Sequence, residues 1–180
     1  MSTEPAPTLP AVIVRPATPA DQAGIDAVAR EVHALHVEHE PEVFQMPDGR
    51  VFEHDVPDVL AKPGYHLWVA ESAGQVVGYA MAELRDVPER PTVRKRRDLY
   101  VHQIGVSSGH RRGGVGRRLI ESLQQLANEQ QAAWLLLDVW DFNDVGQAFF
   151  ASCGLGPAYH RLRLAASPRL HATRSARRAQ

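Results

Sequence analysis

Apolar positions recur along the chain at two different periods, and the switch between them lays out the elements. AVIV at 11–14 reads as a short buried strand. From Thr18 the pattern changes: Thr18-Pro19-Ala20-Asp21 offers an N-cap, a first-turn proline and an acidic third position. Ile25, Val28, Ala29, Val32 and Leu35 then follow at helical spacing, predicting a first helix that Pro41 stops. A short amphipathic helix is expected over 53–61, limited by Pro57 and ended by Lys62-Pro63-Gly64. HLWVAES (66–72) and QVVGYAMAEL (75–84) are β-rich runs separated by Ala73-Gly74, the pattern of a hairpin. LYVHQIGV (99–106) and AWLLLDVW (133–140) are two further strands, and between them Val115, Leu119, Leu123 and Leu126 stripe one face of a helix over 114–130. Strand, helix, strand is a βαβ unit. The almost unbroken apolar run LLLDV fits a parallel strand covered on both faces, reached by a right-handed crossover. A last helix over 143–152 ends at Cys153-Gly154, and YHRLRLA is expected to close the sheet.

These elements make one α/β domain over 11–165. A proline-rich polar segment (1–10) precedes it and a basic tail (166–180) follows, both expected to be flexible. The chain has 180 residues, 44% of them hydrophobic, which suffices for one packed core and not for two. Lys and Arg number 20 against 21 Asp and Glu, so neither nucleic acid nor membrane is expected as a partner and any basic site must be local. The run VRKRRD (93–98) reads as a solvated connection, since Glu83, Asp86 and Glu89 offset it and no aromatics interleave. A single cysteine, Cys153, excludes an internal disulfide and fits a reducing, cytoplasmic setting. MSTEPAPTLP lacks the features of a secretory leader, and no apolar run reaches the roughly 18–20 residues of a membrane span.

The local basic site is HRRGGVGRRLIESL, His110 to Leu123, where glycines open a helix directly after a strand. Their amides can face an anion with no Cβ in the way, and the helix dipole adds partial positive charge. A nucleotide P-loop starting at Gly109 would need Lys and Ser or Thr after Gly114, where Val115 and Gly116 stand. A dinucleotide fingerprint starting at Gly114 would need a third glycine where Leu119 stands. The spacing that fits is V-x4-R-x2-G-x-G, through Val106, Arg111, Gly114 and Gly116. It resembles the pyrophosphate loop of the GNAT superfamily of acetyl-coenzyme A dependent N-acetyltransferases. The strand ending IGV, the loop HRRGGVG, LLLDVW, and then Asn143, Ala148, Phe149 and CGL follow in the family's order, and the likeness extends over 11–165.

The resemblance implies a GNAT fold: a central mixed, twisted sheet of about six to seven strands flanked by about four helices, with the fourth strand bulged and splayed from the fifth. It further implies that the pantetheine arm of acetyl-coenzyme A lies in that opening. The backbone of Ile104 and Val106, with Gly105 between them, would then bind the acetyl and pantetheine groups. The amides of Arg111, Arg112, Gly113, Gly114, Val115 and Gly116 would bind the pyrophosphate, helped by the two arginine side chains. Asn143 matches an asparagine expected to hydrogen-bond the arm, and it reads equally as a helix N-cap. The implied reaction is direct acetyl transfer to a primary amine of a small molecule or peptide. The alternative is a module of the same fold that binds or senses acyl-coenzyme A without catalysis. A homodimer is an expectation of the same kind.

Phe150 stands where many members carry a tyrosine general acid, and it has no proton to give. Candidate catalytic residues are therefore Asp138, His102 and Tyr100, the last two expected on the same strand face as Ile104. Asp138 reads equally as a buried carboxylate. Around the first helix's end, HALHVEHE brings His33, His36, His39 and Glu40 together. Without a zincin signature the cluster predicts no metal site. His36, Glu40, Phe44 and Trp140 are the candidate acceptor-binding residues, with acidic side chains drawing in an ammonium group. Cys153 reads as a core filler.

Overall fold

The computed structural model describes residues 11–164. One sheet carries the strands β1 (Val12–Pro16), β2 (Tyr65–Ser72), β3 (Gln75–Val87), β4 (Arg96–Val106) and β5 (Trp134–Leu137) in that spatial order. Neighbours are antiparallel except β4 and β5, which run parallel as the βαβ reading requires. Helices α1 (Gln22–His39) and α2 (Val56–Ala61) pack on one face through Ile25, Val28, Val56 and Val59. On the other face α3 (Val115–Glu129) buries Val115, Leu119, Ile120, Leu123 and Leu126, and α4 (Asp144–Ser152) adds Phe149 and Phe150. The turn between β2 and β3 is the predicted Ala73-Gly74, both residues left-handed (φ 50° and 75°), whose twist suits a two-residue hairpin.

Among the described residues the sheet has five strands, fewer than the six to seven expected. The missing strand is the closing one: residues 159–164 carry no strand, and Tyr159, Leu162 and Leu164 lie exposed. Alternation alone predicts it, whereas in the structure Arg163 of this stretch pairs with Glu40 at the C-terminal end of α1. β5 itself stops at Leu137, three residues short of the predicted 140. β4 begins earlier than expected because VRKRRD is partly strand, its charges met by pairs from Arg97 to Asp86 and from Arg96 to Asp98. The proposed segments 1–10 and 166–180 lie outside the described residues.

One polar cluster anchors the first crossover. Asp21, 6% exposed, accepts from both terminal nitrogens of Arg15 at 2.8 Å and from the backbone and hydroxyl of Thr18 at 2.7 and 2.9 Å. Arg15 also reaches Glu71, tying β1 to β2 and to the start of α1. The hydrogen bonds from Arg15 outweigh burial and lower the Asp21 pKa from 3.8 to about 2. A depressed carboxylate stabilises the fold above its unfolded pKa and loses that contribution as pH falls through the folded one. Asp21→Asn is therefore expected to cost on the order of 2 kcal/mol at pH 7. The difference should shrink as pH falls from 3.8 to about 2. Urea unfolding of both proteins at pH 7 and pH 3 measures this.

Candidate active site at the parting of β4 and β5

β4 pairs with β5 only from Asp98 opposite Trp134 to Val101 opposite Leu137. Beyond Val101 its β5-facing edge runs on to Val106 without a strand partner, so the two strands form a V with its vertex at Val101 and Leu137. The register supplies a second irregularity at the same point. Val101 lies opposite Ala82 and Gln103 opposite Met81, which leaves His102 as the extra residue of a bulge. The bulge reverses the side-chain alternation. Leu99 and Val101 pack toward α3, and so do Ile104 and Val106, whereas Gly105 faces Val28 and Val32 of α1. Tyr100 and His102 therefore lie on the opposite face from Ile104, not the same one: His102 stacks on Tyr65, which packs with the α1/α2 side. Uninterrupted alternation had implied a shared face.

At the wide end of the V, Ser108–His110 form a single turn that leads into α3. Glu31 of α1 accepts from the Ser108 amide at 2.6 Å, and Ser107 pairs with His110 at 3.0 Å. Arg112 and Gly114 both have left-handed backbones (φ 64° and 83°), and Gly114 caps α3. Nothing lies within 4 Å of a Cβ built at Gly114, so the helix start is open on that side, and its first amides lack intrahelical acceptors. That donor set fits a pyrophosphate. The loop's four arginines divide by role. Arg111 bonds the Val106 carbonyl through Nε at 3.2 Å and stays exposed with Arg112, while Arg117 and Arg118 tie α3 to Ser152 and to Val12. Gly116 serves packing, since a Cβ there would lie 2.9 Å from the Phe149 ring. Asn143 is the N-cap of α4, its side-chain oxygen accepting from Gly146 at 2.9 Å.

The vertex gathers the ionisable groups. Tyr100 donates its hydroxyl to Asp138 at 2.9 Å, so Asp138 is an exposed, hydrogen-bonded carboxylate rather than a buried one. Burial first, then the bond to Asp138, holds the Tyr100 hydroxyl above the ordinary tyrosine value. His102 lies 2.9 Å from Glu83, and the guanidinium of Arg85 sits 3.8 Å over the Tyr100 ring. Glu83 and Arg85 were not legible as site residues, because only the pairing of β3 with the bulge brings them to His102. Phe150 contacts Phe149 and packs against the α3 core, as Cys153 does, away from this cluster.

The predicted acceptor-side residues also meet. His36 and Phe44 lie 5.1 Å apart by ring centroid, and Phe44 and Trp140 5.2 Å. Phe142 stacks on His39 at 4.6 Å and touches His36 at 5.7 Å. These contacts place the loop after β5 against the α1 side, beyond the end of β5 at Leu137. Burial, with added repulsion from His33 and His39, keeps His36 below the ordinary histidine value despite its bond to the Val32 carbonyl. Glu40 is paired with Arg163, whose guanidinium also lies over Trp140 at 5.5 Å. Aromatic rings thus dominate this cluster, and its Glu40 carboxylate is taken by Arg163. No group of three or more His, Cys, Asp or Glu among the described residues could hold a metal ion.

A family model described as "Acetyltransferase (GNAT) family" matches residues 29–155. Human N-acetyltransferase 8 is 34% identical over 95 residues, covering 53% of this chain and 40% of its own length. The mouse protein of the same name is 41% identical over 71 residues, 39% of this chain and 30% of its own. The chain thus spans less than half the length of these relatives. Among solved structures, a mutant of the BH1408 protein from Bacillus halodurans superposes with a TM-score of 0.80 at 24% identity, over 84% of this chain and 98% of that one. The aminoglycoside N-acetyltransferase AAC(6')-Iy in complex with coenzyme A gives 0.64 at 16% identity, over 91% and 99%. At such identities these two likenesses speak to the fold.

The two loop glycines should separate on substitution. Gly116→Ala drives a methyl into Phe149 and is expected to lower stability by about 1–3 kcal/mol, part of it recovered when Phe149→Leu is added. Gly114→Ala meets no atom and carries only the left-handed penalty, about 1–2 kcal/mol. Denaturant unfolding of the three variants checks the order.

Proposed function

The chain belongs to the acetyltransferase (GNAT) family, and on that premise we propose that it transfers the acetyl group of acetyl-coenzyme A to a primary amine of a small molecule or peptide by direct attack. The observation that carries the reading is the unpaired stretch of β4 that links two sites. At one end the Gly114-capped helix start offers outward amides for a pyrophosphate, and at the other Tyr100, His102 and Asp138 cluster. Val106 lies five residue steps along the strand from Val101, at most roughly 17 Å at about 3.4 Å per step, a span that suits an extended pantetheine arm.

The residues divide the work. The amides from Arg111 to Gly116 hold the diphosphate, and Arg111 and Arg112 add charge. Ile104 to Val106 offer their backbone edge to the arm. Asn143, its oxygen committed to the helix cap, has its amide N–H groups to contribute. Acetyl-coenzyme A supplies the acyl group and a thiolate, a comparatively stable leaving group. The acceptor arrives from the α1 side, past the rings of His36, Phe44, Trp140 and Phe142. Proton handling falls to Tyr100, His102 and Asp138, in place of the tyrosine that Phe150 displaces. Tyr100, held by Asp138, is a hydroxyl donor at the vertex, and this supports an enzyme over a module that only binds acyl-coenzyme A.

Free thiol release from acetyl-coenzyme A, measured over a panel of amines and peptides, tests the reading. Acceptor-dependent release is expected from the wild type. It should be lost in Gly114→Trp, whose ring fills the loop mouth, and reduced on the order of a hundredfold in Asp138→Asn. Binding of acetyl-coenzyme A without stimulation by any acceptor would favour the sensing module, and no binding would contradict both.

A further inference from the structure

Glu83 belongs to no sequence motif and reads there as surface charge balance, yet one of its oxygens receives two donors. Oε2 lies 2.9 Å from Nε2 of His102 and 2.8 Å from Nε of Arg85. Burial works to raise the Glu83 pKa, but the hydrogen bonds from Arg85 and His102 bring it below the ordinary glutamate value, so the group is an anion at neutral pH. A carboxylate anion only accepts. Nη2 of Arg85, which only donates, also lies 3.5 Å from Nε2, but the Glu83 oxygen is the nearer partner at 2.9 Å, so the shared hydrogen is assigned to Nε2 and the lone pair of the uncharged ring to Nδ1.

The ring is held in that orientation by two tyrosines, one from β2 and one from its own strand. Tyr65 of β2 stacks on it with centroids 5.5 Å apart and planes 13° from parallel, and Tyr100 meets it edge-on at 5.0 Å and 78°. Arg85 clamps the back of the arrangement, bonding Glu83 and covering Tyr100. Lys62 lies over the far ring of Tyr65 at 5.4 Å, and Asp138 reaches the group only through Tyr100. Glu83 is thus the anion in direct hydrogen-bond contact with the imidazole, and the bulge sets that imidazole at the vertex of the V.

We propose that Glu83 is a positioning residue for the transfer reaction: it fixes His102 in the Nε2–H tautomer so that Nδ1 is the base that deprotonates the acceptor. This rests on the transferase reading above. One proton passes from the acceptor ammonium to Nδ1. The freed amine attacks the thioester carbonyl, the C–N bond forms, the C–S bond breaks, and the amine's second proton ends on the thiolate to give the free thiol. His102 then returns its proton to water.

Two measurements on the full chain test this. Long-range proton–nitrogen NMR of histidine-labelled wild type should show His102 as the Nε2–H tautomer at neutral pH. It needs no acceptor and no variant, so it decides the point even where a substitution fails to fold. Kinetics then use acetyl-coenzyme A with phenethylamine, spermidine or a hexapeptide with a free N-terminus, whichever turns over fastest. His102→Ala should lose about a hundredfold or more in kcat. Glu83→Gln should lose about tenfold in kcat with KM for acetyl-coenzyme A within twofold, and Glu83→Asp should recover part of that loss. In the His102→Ala background Glu83→Gln should add no further loss, because it acts through the imidazole. An Nδ1–H tautomer, full kcat in Glu83→Gln, or an undiminished Glu83→Gln effect without His102 would overturn the proposal. Absence of acceptor-dependent release from wild type would overturn the transferase reading, and this role with it.

Discussion

A strand edge inside a sheet exposes backbone donors and acceptors that something must meet. β4 presents such an edge from His102 to Val106, because β5 leaves it at Leu137. Past that point Trp140 and Phe142 pack on Phe44, His36 and His39, so the segment after β5 lies against the α1 side. The same side chains form the wall proposed to receive the acceptor. The loop at its mouth is fixed from α1 as well, where Glu31 caps the Ser108 turn. One helix therefore braces both ends of the proposed cofactor groove.

The bulge at His102 has the second structuring effect. It lets Leu99, Val101, Ile104 and Val106 all pack toward α3 while Tyr100, His102 and Gln103 turn toward the α1 side. The sheet core thereby stays apolar on one face and gains a polar cluster on the other, where Glu83 and Arg85 satisfy it. A donor held along the β4 edge and an acceptor arriving from α1 would meet across these groups. Tyr100 with Asp138 offers a hydroxyl there, and His102 with Glu83 offers an imidazole.

Much of this was legible in the order of residues. The 3.6-residue stripe of Leu119, Leu123 and Leu126, the unbroken LLL run and the Ala73-Gly74 turn each specify one local geometry, and the sheet topology follows from them. The glycine loop was legible because its spacing matched one phosphate-binding pattern and missed two others. Long-range effects were not. Period-two alternation put Tyr100 and Ile104 on one face, since nothing local marks the extra residue at His102. YHRLRLA has the alternation of a strand, but its residues 159–164 form none, and Arg163 meets Glu40, 123 residues away, a contact no local pattern marks. Glu83 had no local signal at all, and neither did the second reason for a glycine at 116, whose missing side chain makes room for Phe149.

The central claim is that the open edge of β4 and the amides of the Gly114 loop form one continuous binding groove. Amide hydrogen exchange with and without coenzyme A tests it most directly, because it reads backbone groups rather than turnover. The account predicts added protection in two stretches together, His102 to Val106 and Arg111 to Gly116, with little change in β1 and β2. Protection of the loop alone, or of a surface elsewhere with β4 unchanged, would contradict it.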